Sequence, residues 1–331
     1  MAFGRGNLAG GQYYVGDVVY NKNYEPYYEK KLTDKYTFDV PFNFKFTAYG
    51  HDDDYLYMYI KEENKIYKYS MIEHKIIASK NVPFELKYFR VYPYNQFIEC
   101  GDNTRLIRLS TIDFSTKLDI SLTGIDYRGT PDEIFYLEAN RIMSKSYYEI
   151  AFFNTATKKL IRAITNDGRS REIKVFNNAV FISNRTGNMY VMDFNGNDLQ
   201  TFRTNSSNRY FARLTELKDG SLAYSTEAYD TSVGADRSGI ITPDGNKFTR
   251  TEFSTQRLRS IAEYNGYIYG HDYHVLYKHD RNFNRLQQWD LSDTPVNVEN
   301  LLFSRENIPI IYKNKIFSFY NVVQTGYKII N

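Results

Sequence analysis

The stretch KIYKYSMIEHKIIAS, residues 65–79, decides the fold, because its form recurs along the chain. A short strand of alternating apolar residues leads into a polar turn and then a second short strand. The same form reads RLIRLSTIDFSTKLDIS at 105–121, YEIAFFNTATKKLIRAI at 148–164 and NMYVMDFNGNDLQTFRT at 188–204. It returns as SGIITPDGNKFTRTEF at 238–253, HVLYKHDRNFNRLQQWD at 274–290 and KIFSFYNVVQTGYKII at 315–330. Period-two alternation bounded by turn residues is the pattern of half-buried strands. Taking Tyr69, Leu109, Phe153, Met192, Ile241, Tyr277 and Phe319 as equivalent positions gives spacings of 40, 44, 39, 49, 36 and 42 residues.

Each pair of strands is preceded by two more. EIKVFNN and AVFISNR stand before the fourth pair, and SIAEYNG and YIYGHD before the sixth. Asp-Gly and Asn-Gly turns, as in KDGS at 218–221 and PDGN at 243–246, supply the positive φ of tight hairpins. Four short strands per unit of about 40 residues mark a propeller blade. The expected fold is all-β: a seven-bladed β-propeller of four-stranded antiparallel blades over residues 44–331, with an N-terminal extended arm over 1–43. That arm either supplies a strand that closes the ring or docks on another subunit. GYKII reads as a fourth strand of the last unit, which points to docking.

The units resemble those of the WD-repeat and YVTN-type seven-bladed propeller superfamily over residues 44–331. The resemblance is one of pattern, since the Gly-His and Trp-Asp dipeptides of WD repeats do not recur and the lone Trp289-Asp290 falls at a fourth strand. The opening MAFGRGNLAGGQYYVGDVVYN looks like the starts of phage tail-associated proteins. That resemblance implies a virion component of the tail, neck or fibre, with residues 1–43 gripping other virion proteins and host cell-wall polysaccharide as a further partner.

Composition narrows the function classes. The 331 residues carry 42 Lys+Arg against 39 Asp+Glu, a balance that gives no reason to expect nucleic acid. Local basic groups do occur, at Arg250, Arg257 and Arg259 and at Lys158, Lys159, Arg162, Arg169, Arg171 and Lys174. Strand-edge solvation accounts for them. The single cysteine, Cys100, excludes an internal disulfide and reads as a small buried hydrophobe. No apolar run of membrane length and no secretory leader is read at the start, so the chain is expected to stay in the cytoplasm or enter a particle. Tyr 32 and Phe 23 suit pleated sheets.

Signs of catalysis are few. One Trp rules out a set of sialidase Asp boxes or quinoprotein motifs, and neither a nucleophile elbow nor a phosphate loop is present. Asp126, Asp132, Glu133, Glu227, Asp230 and Asp236 fall in loops, with no pair singled out. The expected function is therefore non-enzymatic, with no cofactor. The alternatives are a polysaccharide-acting hydrolase or lyase and an intracellular protein-interaction propeller. The enzyme alternative requires acid–base groups of shifted pKa around the channel.

Recognition is expected in two loops that enter one face: STEAYDTSVGADRSG, 225–239, and GIDYRGTPDE, 124–133. Their candidate ligand-binding residues are Tyr127, Arg128, Glu227, Tyr229, Asp230, Asp236 and Arg237. The repeated YGHD puts a His-Asp pair at 51–52 and another at 271–272. The first follows a first strand and the second follows a second strand. Opposite ends of strands of that length lie roughly 17 Å apart, so the two pairs cannot share a metal. His271, Asp272 and His274 remain the one metal-ligand candidate, and a zinc ion there would need a loop geometry that spacing does not supply.

Overall fold

The structure, a computed structural model, describes residues 48–290 apart from short stretches, the longest of them 229–236, and outside that span only the paths of short strands. Six consecutive four-stranded antiparallel sheets fill 48–290, each with its strands in chain order. Their first strands are Ala48–His51, Tyr88–Tyr92, Glu133–Glu138, Ser170–Phe176, Arg209–Glu216 and Ser260–Tyr264. Their fourth strands, Lys75–Asn81, Thr116–Ser121, Lys159–Thr165, Asp198–Arg203, Lys247–Ser254 and Arg285–Asp290, form the outer rim. First strands touch between blades 1 and 2, 4 and 5, and 5 and 6, which is the layout of a β-propeller.

Among the described residues, blades built wholly of consecutive strands number six rather than the expected seven. In the segment expected to form a seventh blade the structure describes three strands, Ile310–Tyr312, Lys315–Phe319 and Gly326–Ile330. Their sheet takes its fourth strand, Lys35–Thr37, from the start of the chain. GYKII is thus followed in the sheet by residues from the arm, whose two expected roles are ring closure and docking. A separate small sheet is made by Asn7–Leu8, Gln12–Val15, Val18–Tyr20 and Pro26–Tyr27.

The core lies between blades. Tyr57, Ile66, Ile98, Cys100 and Leu109 fill the gap between blades 1 and 2. Leu106, Ile134, Ile142 and Phe153 fill the next, and similar clusters join blades 3 to 4, 4 to 5 and 5 to 6. Both faces of the second and third strands are covered by neighbouring blades. These strands therefore read as near-continuous apolar runs, such as YLYMYI with five of six residues buried. Fourth strands alternate exposed and half-buried, as in KIIASKN, because one face looks outward.

The register exposes a slip in the sequence alignment of the blades. Tyr69 pairs across from Leu56, Leu109 from Ile98, Phe153 from Ile142, Met192 from Val180 and Ile241 from Leu222. In blade 6 the residue opposite Ile268 is His279, not Tyr277. Period-two alternation puts both residues on one face, so pattern alone cannot separate them.

Candidate functional site

Six residues, one from each first strand, stand at one level around the axis. Gly50 pairs with Tyr57, Arg90 with Glu99, Phe135 with Met143, Lys174 with Phe181, Thr215 with Ala223 and Ala262 with Tyr269. In every blade that second-strand partner is one residue beyond the core position named above. All six line a cavity of ≈ 380 Å³. The ring is lopsided: blades 2 to 4 contribute Arg, Phe and Lys, while blades 5, 6 and 1 contribute Thr, Ala and Gly. The small residues leave the room that the large ones would fill.

A second tier lies two residues earlier on the same strands, on the same face by strand alternation. Glu133 precedes Phe135 and Glu172 precedes Lys174, and both line the cavity with Lys145, Glu216 and Glu263. The cations and carboxylates interlock. Arg90 Nη2 donates to Glu133 Oε2 at 2.7 Å and Nη1 donates to the Ile134 carbonyl at 2.8 Å. Its guanidinium lies 3.7 Å from the centre of the Phe135 ring. Lys145 Nζ donates to the other oxygen of Glu133 at 3.0 Å. Behind Arg90, the fully buried Glu99 is held between two guanidiniums, 3.5 Å from Arg90 and 2.8 Å from Arg108. Arg213 Nη1 donates to Glu172 Oε2 at 3.1 Å. Lys174 Nζ stands 3.8 Å from Glu216 Oε2.

These carboxylates do not share one proton affinity. Burial pushes the Glu133 carboxyl up, but Arg90 and Lys145 more than offset it and hold it at about 2. At Glu172 burial wins, and the carboxyl is raised although Arg213 pulls the other way. Burial lowers the Lys174 ammonium, Glu216 opposes this, and the positive charge of Arg90 adds to the lowering. The environment therefore moves Glu172 up and Lys174 down, toward each other, on one strand face of one cavity. Pairs of titratable groups displaced in this way are what acid–base chemistry uses.

The described side chains among those proposed from sequence do not line this cavity. Tyr127 packs edge-on against Phe153 at 5.4 Å and joins the core between blades 2 and 3. Glu227 accepts a hydrogen bond from the Tyr210 hydroxyl inside blade 5. Arg237 opens the third strand of that blade and is paired with Glu252 at 2.6 Å. Arg128, Tyr229, Asp230, Asp236 and His274 lie outside the described residues. His271 and Asp272 end the second strand of blade 6, where only the backbone path is described. Among the described residues no cluster of three or more His, Cys, Asp or Glu has metal-binding geometry. No helix among them is long and apolar enough to cross a membrane.

Sequence reasoning missed Glu172 and Lys174. The sequence reading places Lys174 among strand-edge cations and EIKVFNN as the first of the four strands in its unit. First strands face the axis, so a Glu-Ile-Lys alternation there aims two ionisable groups into the channel.

No protein-family model matches the chain, and no curated protein matches it. Solved structures do. A virginiamycin B lyase from Staphylococcus aureus superposes with a TM-score of 0.56 at 13% identity, covering 90% of this chain and 99% of that one. The computationally designed Ika8 protein superposes with a TM-score of 0.52 at 10% identity, covering 89% of this chain and 98% of its own. At such identities the likeness is one of fold, and it supports the propeller.

Proposed function

We propose that this protein is an enzyme of the lyase or hydrolase kind, acting on a polar substrate in the axial cavity, with Lys174 as base and Glu172 as acid. One observation carries the reading: Glu172 and Lys174 sit two residues apart on the first strand of blade 4, both lining the ≈ 380 Å³ cavity, with proton affinities displaced in opposite directions. In an elimination, the neutral amine takes a proton from the carbon next to a carbonyl or carboxylate. The electron pair forms a carbon–carbon double bond, and the leaving oxygen takes the proton of Glu172. Glu133 has the opposite role: it is held ionised by Arg90 and Lys145 and fixes both cations in place.

The expectation of a non-enzymatic protein did not weigh these groups, and the acid–base cluster is the feature it set as the mark of an enzyme. A propeller neighbour that is by name a lyase makes virginiamycin B a reasonable first compound to test, beside uronate-containing polysaccharides. The assay follows ultraviolet absorbance of a new double bond and product mass. Elimination leaves the total mass unchanged, while hydrolysis adds one water. Glu172→Gln and Lys174→Met should each slow turnover about 10²- to 10⁴-fold if they are the acid and base. Turnover untouched by both substitutions would end the assignment.

A second reading keeps the propeller as a virion scaffold. It is favoured by the small sheet of the strands Asn7–Leu8, Gln12–Val15, Val18–Tyr20 and Pro26–Tyr27, which is separate from the six blades, as a docking element would be. Mass spectrometry on purified phage particles from the source culture tests it: the chain in fixed stoichiometry supports it, and absence removes it.

A further inference from the structure

We propose that Lys174 is a carbonyl-capturing amine: its Nζ condenses with an aldehyde or ketone group of the substrate to form an imine inside the axial cavity. This rests on the cavity being the site, as above, but not on the elimination step.

The geometry singles out this lysine among the described ones. Lys145, the other lysine lining the cavity, is committed to Glu133 at 3.0 Å. Lys68 donates to the Thr111 carbonyl at 2.7 Å, away from the cavity. Lys278 lies over the Tyr267 ring at 3.9 Å, in the third strand of blade 6. Lys174 lines the cavity with about a quarter of its side chain open, 24%, and its nearest carboxylate oxygen is 3.8 Å away, too far for a direct hydrogen bond. Its ring neighbours are Phe135 and Thr215, and the wall formed by Thr215, Ala262 and Gly50 leaves room for a ligand. Arg90, also on the ring, is tied to Glu133 and the Ile134 carbonyl. It acts as a fixed positive charge, which favours the neutral amine. A lysine placed in a partly dry pocket beside another cation is the arrangement that activates an amine toward carbonyls.

The step balances without a redox partner. The neutral amine attacks the carbonyl carbon, a C–N bond forms, and the carbonyl oxygen takes the proton of Glu172. The amine nitrogen then gives a proton to Glu216. Loss of the hydroxyl as water, with a proton returned by Glu216, leaves the C=N bond. The protonated C=N nitrogen then returns a proton to Glu172, so that amine and carbonyl enter and imine and one water leave.

The test uses the full chain and two aldehyde probes of different size, glyoxylate and pyridoxal 5′-phosphate. Each is added near pH 7 with borohydride to reduce any imine, and labelled peptides are mapped by mass spectrometry. The expected result is that glyoxylate labels Lys174 at least about tenfold faster than the exposed Lys87 and Lys117, and that Lys174→Met removes that label alone. Glu216→Gln, with circular dichroism unchanged, should slow labelling of Lys174 and leave Lys117 unaffected. Labelling of Lys174 no faster than of Lys117 by the smaller probe overturns the proposal. The two readings separate cleanly. Rapid labelling without elimination would leave the imine and remove the lyase step. Elimination lost in Lys174→Met without labelling of the wild type would do the reverse.

Discussion

His279 occupies a core position that Tyr69, Leu109, Phe153, Met192 and Ile241 fill in the other blades. It is fully buried, with the Tyr277 and Phe283 rings at 6.1 and 5.9 Å. Burial pushes its imidazolium down to about 4, and a hydrogen bond to the Ile268 backbone offsets part of that. The unfolded chain takes up this proton near the ordinary value of about 6.5. Between the two values the unfolded state binds more protons, so stability is full above pH 6.5 and falls as pH drops toward 4. The shift corresponds to ~3 kcal/mol at the acid end. His279→Leu, copying blade 2, should remove this acid sensitivity; thermal unfolding followed from pH 7 to pH 4 in both proteins checks it. Glu99 makes the opposite case. Removing its charge in Glu99→Leu leaves Arg90 and Arg108 facing one another in a buried site, and the expected loss is about 3 to 5 kcal/mol in denaturant unfolding.

At the scale of the strand, one irregularity recurs. In blades 1, 2, 3, 4 and 6 the pairing of third and fourth strands slips by one residue at the same place, next to Tyr69, Leu109, Phe153, Met192 and His279. The skipped residues are Ile77, Lys117, Ile161, Leu199 and Leu286. A bulge leaves its extra residue unpaired and turned outward, and the four apolar ones are among the exposed large hydrophobics, at 38 to 45%. Blade 5 has no slip, and its third and fourth strands run in unbroken register into a tight Asp244–Lys247 hairpin. Apolar residues at bulges look like core in a period-two pattern, so sequence cannot separate Ile161 from Phe153, eight residues earlier and fully buried. The structure predicts very different costs for them. Ile161→Lys should change stability by less than about 0.5 kcal/mol, while Phe153→Ala should cost about 3 to 5 kcal/mol. Urea unfolding of both variants measures the contrast.

Over the whole molecule, the legible part of the sequence was the period: four strands per unit, the turns between them, and the buried character of second and third strands. The closing of the chain was not legible. A strand partner is chosen across the whole ring, and GYKII carries no mark of whether its outer neighbour is solvent or the chain's own start. The candidate site was half legible, since the strand carrying Glu172 and Lys174 was identified but its direction toward the axis was not used. Two of the described loop candidates, Glu227 and Arg237, are paired within blade 5. The pairing of Lys35–Thr37 with Gly326–Lys328 gives the start of the chain a stability role that can be cut at two points. Removing residues 1–34 spares that strand and should leave the melting temperature within a few degrees of the full chain. Removing residues 1–43 takes the strand away and exposes the edge of Gly326–Ile330, with its row of unpaired backbone groups. That second truncation should melt lower and aggregate on standing, as followed by calorimetry and light scattering. Equal melting of the two truncations would mean that the strand contributes nothing to the fold, and that residues 1–43 serve a partner instead.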